Sequence, residues 1–256
     1  MSTISFKPKQ VTKKIVSSLQ DRTRDVILNR FGLSIDVKKK TLEEIGKKYN
    51  ITRERVRQIE DSALALIKKS SVYKAEQAIF EELKQLIHSL GAIVTEYDLL
   101  NHISKDKSTQ NHIHFYLELS DHFKKHREDD HFKPRWSVDD ELADKVHDSL
   151  KKLYASLNDE DLVLETEMIK KFLDHLKDVS DKFKNEEIAK RWLSLSKTIS
   201  KNTMGEWGKA SSPNIRTRGV KDYAFLVMRK HGSPMHFREV AEAITKTFGC
   251  KTHYAT

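Results

Sequence analysis

The sequence has few of the residues that cross-link, bend or interrupt a chain. It has one cysteine, four prolines and eight glycines in 256 residues. A single cysteine excludes an intramolecular disulfide and favours a reducing compartment. Scarce glycine and proline favour helices over hairpins. No apolar run approaches the roughly 20 residues of a membrane span, and the start MSTISFKPKQ has no signal-peptide core. We therefore expect a cytoplasmic, mainly α-helical protein.

Sequence signatures of catalysis and of nucleotide binding are also missing. The chain has no GxxxxGK[ST], GxSxG or GxGxxG pattern. The acidic runs 128–130 and 139–141 are more typical of turns and helix starts than of nuclease ligands. Histidines are dense in one segment, but no pair at helical spacing has a third metal ligand, so solvated or stacking roles are favoured over zinc. They are His112, His114, His122, His126 and His131. The sequence predicts a non-enzymatic protein with no metal and no cofactor.

The excess positive charge lies near the N-terminus. Residues 1–70 contain 17 Lys/Arg and 8 Asp/Glu, whereas residues 71–256 contain 30 of each. The first segment therefore accounts for the whole net charge of +9. Such a concentration indicates a surface that binds the phosphates of nucleic acid.

Residues 10–69 predict four helices. Apolar residues recur at helical spacing in 10–20, as Val11, Ile15, Val16 and Leu19, and in 22–31. Gly32 is suited to end the second of these helices.

The third and fourth helices have the pattern of a helix-turn-helix. Thr41 is a good N-cap, and Glu44 three residues later completes a capping box. Asn50 is suited to a left-handed turn, and Thr52 caps the fourth helix, which is predicted over 53–69. In a helix-turn-helix the second helix presents its N-terminal residues to the edges of bases.

Side chains that can bond to bases share one half of the fourth helix near its N-terminus. Arginine can bind guanine with two hydrogen bonds, glutamate can accept from cytosine, and glutamine can read adenine. Val56 and Ile59 fall on the opposite face and are expected in the core. The alternative is a solvated helix in which Arg and Glu pair with each other. The four candidate base-reading residues are Arg53, Glu54, Arg57 and Gln58.

Residues 21–33 and 41–60 carry a resemblance to a known family. They read DRTRDVILNRFGL and TLEEIGKKYNITRERVRQIE, and they resemble region 4 of the sigma-70 family of bacterial sigma factors over about residues 10–69. The resemblance implies binding of promoter −35-type DNA and of the β-subunit flap of RNA polymerase core. We expect the flap to bind the apolar face of helices 10–31 and 41–69.

The resemblance also implies roles for single residues. Arg53, Glu54, Arg57 and Gln58 match base-reading positions. Contact with the DNA backbone is implied for five others, with the start of the third helix donating to a phosphate. They are Arg22, Arg30, Thr41, Leu42 and Arg55.

Two departures from the family limit what the resemblance implies. Ser62, Ala65 and Leu66 stand where the family usually has basic residues that contact activators, so we expect this face to pack on the following segment. Only about 20 residues precede the region 4 pattern, which is too few for the domain that opens the −10 element. We therefore expect the chain to change initiation by another sigma factor rather than to open promoters alone.

The remaining chain predicts tandem helix-turn-helix modules, the central ones with short β wings. Trp136, Trp192 and Trp207 are expected as core or wing anchors, with base stacking as the alternative. The predicted helices are 73–90, 96–103, 110–119, 142–155, 165–177, 185–198, 220–230 and 236–248. Wings are predicted within 122–138 and around Gly205 and Gly208, with a linker over 208–218. The predicted domains are 1–72, 73–140, 141–218 and 219–256.

The C-terminal residues 219–249 carry a second resemblance. They read GVKDYAFLVMRKHGSPMHFREVAEAITKTFG and resemble the HARE-type helix-turn-helix domain, mainly in the turn 232–244. The alternative is a small packing domain without DNA contact. The unit lacks the strands that would close its core, so we expect either a longer natural protein or a fragment.

These patterns together predict a sequence-specific, nucleoid-associated transcription protein. Its predicted partners are double-stranded promoter DNA with a −35-like element and RNA polymerase core at the β flap, with no membrane contact. The alternative is a regulator that occupies the flap, competes with a sigma factor and binds little DNA itself. The Arg53, Glu54, Arg57 and Gln58 set favours the first reading.

Overall fold

The computed structural model describes residues 4–217 and 219–249. Residues 1–3, Arg218 and 250–256, which include the single cysteine Cys250, lie outside the described residues. The fold is mainly α-helical, with short strands, as the sequence predicts. The described residues form two compact units. Unit 1 contains the residues up to Arg127 and Pro134–Ala143, and unit 2 contains Glu128–Lys133 and the residues from Asp144 onward.

Unit 1 begins with eight helices and contains one small antiparallel sheet. In the sheet, Val94 and Lys125 both pair with Trp136, which places β3 between β1 and β2. The helices are α1 Pro8–Val16, α2 Asp21–Phe31, α3 Leu42–Tyr49, α4 Arg53–Lys69, α5 Ser71–Ala75, α6 Gln77–Ser89, α7 Glu96–Ile103 and α8 Lys107–Leu119. The strands are β1 Ile93–Thr95, β2 Lys124–His126 and β3 Arg135–Ser137.

Helix α9, Asp140–Ser156, runs from the last residues of unit 1 into unit 2. In unit 2, Trp192 is buried on the second helix that follows α9, and Trp207 is buried on the last strand. The further elements are α10 Glu165–His175, a 3-10 turn Asp181–Phe183, α11 Glu186–Leu195, β4 Ile199–Lys201, β5 Trp207–Lys209, α12 Val220–His231 and α13 Phe237–Phe248. Strands β4 and β5 form an antiparallel pair.

One continuous core joins most elements of unit 1. Helices α1 and α2 and the later turns of α4 contribute apolar side chains on one side, and α6, α7, α8 and the sheet contribute on the other. Phe31 of α2 packs edge-on against Phe115 of α8, with ring centroids 5.1 Å apart. The boundary predicted between residues 72 and 73 stays a prediction, but residues on both sides of it share this core.

Local signals placed most helix ends correctly. Gly32 ends α2 in the left-handed conformation at φ +63°, and Asn50 ends α3 at φ +53°. Helix α7 matches its predicted range of 96–103. Helix α8 begins three residues before the predicted start, because the Asp106 side chain accepts a hydrogen bond from the Thr109 N–H at 2.8 Å. The first helix starts earlier than predicted, at Pro8, since proline suits a first helical turn.

The single helix predicted over 73–90 is wrong. The chain forms α5 and α6, which meet at Glu76 with φ −95° and ψ +18°. Ser70 begins the short helix by accepting from the Tyr73 N–H at 3.1 Å. The Glu76 carboxylate binds Lys14 of α1 at 2.8 Å. These contacts hold the chain at Glu76 outside the path of one continuous helix.

The strands differ from the predictions in three details. The strands predicted within 122–138 are present as β2 and β3, but the sequence did not predict β1, whose three residues are all buried. Gly205 lies in the turn between β4 and β5 at φ +85°, whereas Gly208 lies within β5. A Cβ at Gly208 would lie 2.4 Å from the Asp161 carbonyl oxygen, so close approach explains this glycine. The predicted linker begins inside β5.

Candidate DNA-binding surface

Helices α3 and α4 form the helix-turn-helix that the sequence predicts. The Thr41 hydroxyl accepts from the Glu44 N–H at 3.1 Å, and the Glu44 carboxylate accepts from the Thr41 N–H at 2.7 Å. These bonds lower the pKa of Glu44. Thr52 caps α4 by accepting from the Arg55 N–H at 3.1 Å. The capping box and both helix starts are confirmed.

A small core fixes the angle between α3 and α4. Val26, Ile45 and Val56 are fully buried together, one from each of α2, α3 and α4. The turn passes so close to α3 that a Cβ at Gly46 would lie 2.7 Å from the Ile51 carbonyl oxygen. Leu42, Tyr49, Ile51 and Ile59 pack around this core. The predicted core role of Val56 is confirmed, and Ile59 is partly buried.

All four candidate base-reading side chains are exposed on the first half of α4. Exposed hydrogen bonds and ion pairs link three of them to each other or to the neighbouring residues Arg55 and Asp61. The Arg57 guanidinium donates to both carboxylate oxygens of Glu54 at 2.7–3.2 Å and to Asp61 at 2.7 Å. The bond from Arg57 lowers the pKa of Glu54. Arg55 donates to the Gln58 side-chain oxygen at 3.1 Å.

The mutual pairing of Arg and Glu side chains, which was the alternative to base reading, is therefore present on α4 without DNA. Such pairs do not compete strongly with DNA contact. Exposed ion pairs within a helix contribute little to stability and exchange readily with other partners. The half of α4 that carries Arg53, Glu54, Arg57 and Gln58 remains open to solvent. Their base-reading role stays a prediction that this geometry permits.

The candidate backbone-contacting residues are in different environments. Arg22 is exposed and lies over the Tyr49 ring, 5.2 Å from its centroid. Arg30 instead binds Glu60 of α4 at 3.0 Å. Burial raises the pKa of Glu60, and Arg30 opposes that shift. Arg30 thus joins α2 to α4, and its role in contacting DNA stays a prediction.

The backbone contact predicted at the start of α3 stays a prediction. Thr41 and Leu42 lie where the first N–H groups of α3 have no partner within the helix, which is the general geometry for binding a phosphate. Leu42 packs on the small core and so fixes this end of the helix. The Arg55 side chain lies next to Gln58, beside the candidate base-reading set.

The face of α4 that carries Ser62, Ala65 and Leu66 does not pack on the following segment as we expected. Ser62 and Ala65 are exposed, and Leu66 is 59% exposed. The opposite face of the same turns carries Ala63 and Ile67, which are fully buried in the core of unit 1. The helix simply has one buried face, and the positions that depart from the family lie on the other.

The apolar face expected to bind the polymerase flap is not free. Its residues, among them Ile15, Ile27 and Ile67, are fully buried in the core that α6, α7 and α8 complete. Phe115 and Tyr116 of α8 cover much of it and are themselves fully buried. Binding of any partner to this face would require these intramolecular contacts to open, and flap binding through it stays a prediction.

Helix α8 is the second helix of another helix-turn-helix, but most of its side chains are buried. Of the solvated or stacking roles expected for the histidines, solvation is wrong for His112 and His114 of this helix, whereas His114 packs against the rings of Phe31 and Trp136. His112 is buried and hydrogen-bonded through Nδ1 to Thr12 at 2.8 Å. His114 is largely buried, and burial lowers its pKa to about 3. Within the described residues no three His, Cys, Asp or Glu side chains are grouped as metal ligands.

The sequence analysis missed the role of Asn111. This residue of α8 is buried, and its side-chain amide donates to the carbonyl oxygens of Gly32 and Val37, each at 2.9 Å. It thereby fixes residues 33–40, the loop before α3, in which Val37 adopts φ +54°. The residues around it, STQNHIH, are mostly polar, so no local pattern marked this side chain as buried.

The three tryptophans are buried, as expected for core anchors. Trp136 donates through Nε1 to the Glu96 carboxylate at 3.0 Å. Trp192 packs between Phe172 and Phe183, with centroids 6.2 Å from each ring. Burial leaves no ring face of Trp136 or Trp192 open for a base.

None of the helices in residues 4–217 and 219–249 has the length and apolar character needed to cross a membrane.

Comparison with known proteins confirms the resemblance for the N-terminal segment. Residues 15–69 match the family "Sigma-70, region 4". The sigma factor RpoD of Helicobacter pylori is 54% identical over 52 residues, which cover 20% of this chain and 8% of that protein. The sigma factor SigA of a Nostoc species is 56% identical over 52 residues, or 20% and 13%. SigA of Clostridium acetobutylicum is 46% identical over 63 residues, or 25% and 16%.

The family match covers residues 15–69, a small part of the chain. The chain spans between 8% and 16% of the length of these three sigma factors. No solved structure matches it. Residues 15–69 are thus a sigma-70 region 4 domain, while the HARE-type resemblance of residues 219–249 stays a prediction.

Proposed function

We propose that this protein is a sequence-specific DNA-binding transcription protein, which reads a promoter −35-type element through α4 and acts together with RNA polymerase core. The observation that carries the proposal is the open half of α4, where Arg53, Glu54, Arg57 and Gln58 project from a helix fixed by its own small core. The region 4 match over residues 15–69 supports the same role. The proposed role is binding without catalysis, metal or cofactor.

Packing within unit 1 bears on the interaction-only alternative. A regulator that works only by occupying the flap would need the apolar face of α1, α2 and α4, and α8 covers that face. The base-reading set needs no rearrangement of the core to meet DNA. This contrast supports DNA as the direct partner. Polymerase core remains part of the proposal, and the flap is its proposed site only if the contacts with α8 open.

The role of the central helix-turn-helix also has to be revised. The α7–α8 pair with its three-stranded sheet is our proposed winged-helix module, and we expected such modules to extend the DNA contact. Four side chains of α8 are buried and so cannot enter a DNA groove, namely Asn111, His112, Phe115 and Tyr116. We propose instead that this module is a scaffold that supports the region 4 domain.

The test begins with selection of duplexes from a random pool by the full chain at moderate salt. We expect enrichment of one sequence class, tighter binding to it than to unselected duplex, and co-purification with RNA polymerase core. Transcription assays with a full sigma factor, with and without this protein, then measure its effect on initiation. Co-purification without any enrichment of duplexes would support the interaction-only alternative and overturn the proposed DNA reading.

A further inference from the structure

A group of lysines from separate segments lies beside the helix-turn-helix. Lys38 and Lys39 belong to the loop before α3, Lys107 is the first residue of α8, and Lys125 lies on β2. We call Lys39, Lys107 and Lys125 the lysine cluster. Two of them lie outside the segment that carries the chain's net positive charge, so charge counting alone does not reveal the group.

Asn111 of α8 donates to the loop backbone at the Val37 carbonyl oxygen at 2.9 Å, and Lys107 lies one helical turn earlier on the same face, so the loop and α8 meet here. Loss of hydration lowers the pKa of Lys39, Glu96 and Glu118 oppose this shift, and the ammonium groups of Lys107 and Lys125 add to it. The same three lysines lower the pKa of His114, after the larger effect of burial. Several cations therefore converge on one side of His114.

Glu96 and Glu118 offset only part of the positive charge of the lysine cluster, because these two carboxylates face three lysines. Among the described residues, Lys125 is the only member that forms an ion pair, which it makes with Glu118. Glu96 is engaged by the Trp136 ring N–H at 3.0 Å. Like charges held this close are unfavourable unless an anion joins them, so the surface is complementary to phosphate.

The loop that carries Lys38 and Lys39 is held in place before any ligand arrives. Asn111 of α8 binds its backbone at Gly32 and Val37, and the Lys40 N–H donates to the Asn29 carbonyl oxygen at 2.9 Å. The Lys40 ammonium donates to the Asn29 side chain at 2.6 Å. A preorganised loop loses less conformational entropy when its lysines bind an anion.

The lysine cluster continues directly from the predicted backbone contact. The loop ends at Thr41, which caps the start of α3, and Lys38 and Lys40 both lower the pKa of Glu44 in the capping box after the larger effect of its bonds to Thr41. A duplex that places a phosphate at this helix start would carry its backbone onto the adjoining lysines. Successive phosphates on one strand lie several ångströms apart, which suits side chains spread over neighbouring elements.

We propose that the lysine cluster is a second DNA-binding surface, which holds the phosphate backbone of the duplex beside the bases read by α4. This inference rests on the proposed function, in that it takes promoter DNA as the ligand. It assigns to the α7–α8 module a direct share in DNA binding through Lys107 and Lys125. That share is electrostatic and independent of base sequence.

The test uses the full chain and the duplex selected by the unaltered protein. Lys39→Gln with Lys107→Gln removes one charge from the loop and one from α8, and leaves Lys125 with Glu118. The matched control is Lys13→Gln with Lys74→Gln, which removes two exposed charges on α1 and α5. Binding is measured at several salt concentrations, and phosphate contacts are mapped by ethylation interference.

We expect the cluster variant to bind about 10-fold more weakly near 0.1 M salt and the slope of log Kd against log salt to fall by about 2. Its preference among base sequences should stay unchanged, and interference should disappear at phosphates outside the selected bases. The control should bind like the unaltered protein. Equal slopes and interference patterns for the two variants would overturn the second surface.

Failure of the proposed function gives a different result. If the unaltered protein enriches no sequence class but binds duplex with a salt slope that the cluster variant reduces, the lysine surface stands and base reading fails. If the cluster variant keeps the full slope but no longer co-purifies with polymerase core, the surface binds an acidic protein and the DNA assignment is overturned.

Discussion

Helices α4 and α8 occupy the same place in two helix-turn-helix units of one compact body, and their side chains have opposite surroundings. Each begins at a capping residue, Thr52 for α4 and Asp106 for α8. Helix α4 keeps its polar half open, whereas α8 buries Phe115 and Tyr116 against α1, α2 and α6. The comparison shows that the motif sets only the local geometry. The residues on each helix decide whether it reads a ligand or supports a neighbour.

The largest expected effect comes from removing the ring that joins the two helix-turn-helix motifs within unit 1. Phe115 is fully buried and contacts Phe31 of α2, so Phe115→Ala should lower the free energy of unfolding by about 3–5 kcal/mol. Because the core is shared, hydrogen exchange should accelerate in α2 as well as in α8. Mass spectrometry of peptides from both helices measures this effect.

Leu66→Ala is the matched control for that experiment. Leu66 is 59% exposed on α4, and truncation of an exposed side chain should change stability by no more than about 0.5 kcal/mol. Faster exchange confined to α8 in the Phe115→Ala variant would mean that the two helix-turn-helix units fold separately, which contradicts one shared core.

Loss of Arg57 should have the next largest effect, and only on DNA binding. Arg57→Ala removes an exposed side chain that can bind guanine, so affinity for the selected duplex should fall about 5- to 150-fold, with relaxed preference at one base pair. Unfolding should be nearly unchanged. Competition against duplexes substituted at each position measures the preference. Equal weakening on every duplex would reduce Arg57 to a phosphate contact.

Burial lowers the pKa of both His112 and His114 on α8, and His114 should make the stability of this helix sensitive to pH. His114 has a folded-state pKa of about 3, well below the ordinary value near 6.5. The unfolded chain therefore gains a proton first as pH falls, and stability present above about pH 6.5 is lost progressively toward pH 3. Between pH 7.5 and 5.5 this histidine should cost about 1.4 kcal/mol.

Urea unfolding at the two pH values tests this effect in the unaltered chain and in His114→Gln. The substitution removes the titrating group, so the difference between the two pH values should shrink by about that amount. His122→Gln alters an exposed histidine and serves as the control. If both variants keep the full difference, the acid sensitivity arises elsewhere in the chain.

Sequence patterns predicted the region 4 helices well because their ends depend on local chemistry. The Thr41 and Glu44 capping box, the left-handed residues Gly32 and Asn50, and the Thr52 cap each act within a few residues. Exposure of Arg53 and Arg57 followed from helical spacing and from the burial of Val56. The match over residues 15–69 confirms the domain.

The mutual packing of the two helix-turn-helix units could not be predicted in this way. Periodicity shows that a helix has an apolar face but not which face covers it. The apolar face of α1 and α2 was therefore expected to bind polymerase, although Phe115 and Tyr116 cover it. The break at Glu76 depends on a contact with Lys14, 62 residues away, which no local pattern encodes.

The smallest expected effect tests whether the ion pair between Arg57 and Asp61 on α4 weakens DNA binding by the base-reading side chains. Asp61 binds Arg57 at 2.7 Å and adds a negative charge to the half of α4 that faces DNA in the proposed complex. Asp61→Asn should therefore tighten binding to the selected duplex by about two- to fivefold at low salt. Asp181→Asn makes the same charge change at an exposed pair with Lys184 in unit 2 and should have no effect. Titrations of both variants at low and high salt measure the difference, which should shrink as salt screens the pair. Weaker binding by Asp61→Asn would show that Asp61 orients Arg57 toward the base, and the pair would then belong to the reading apparatus of α4.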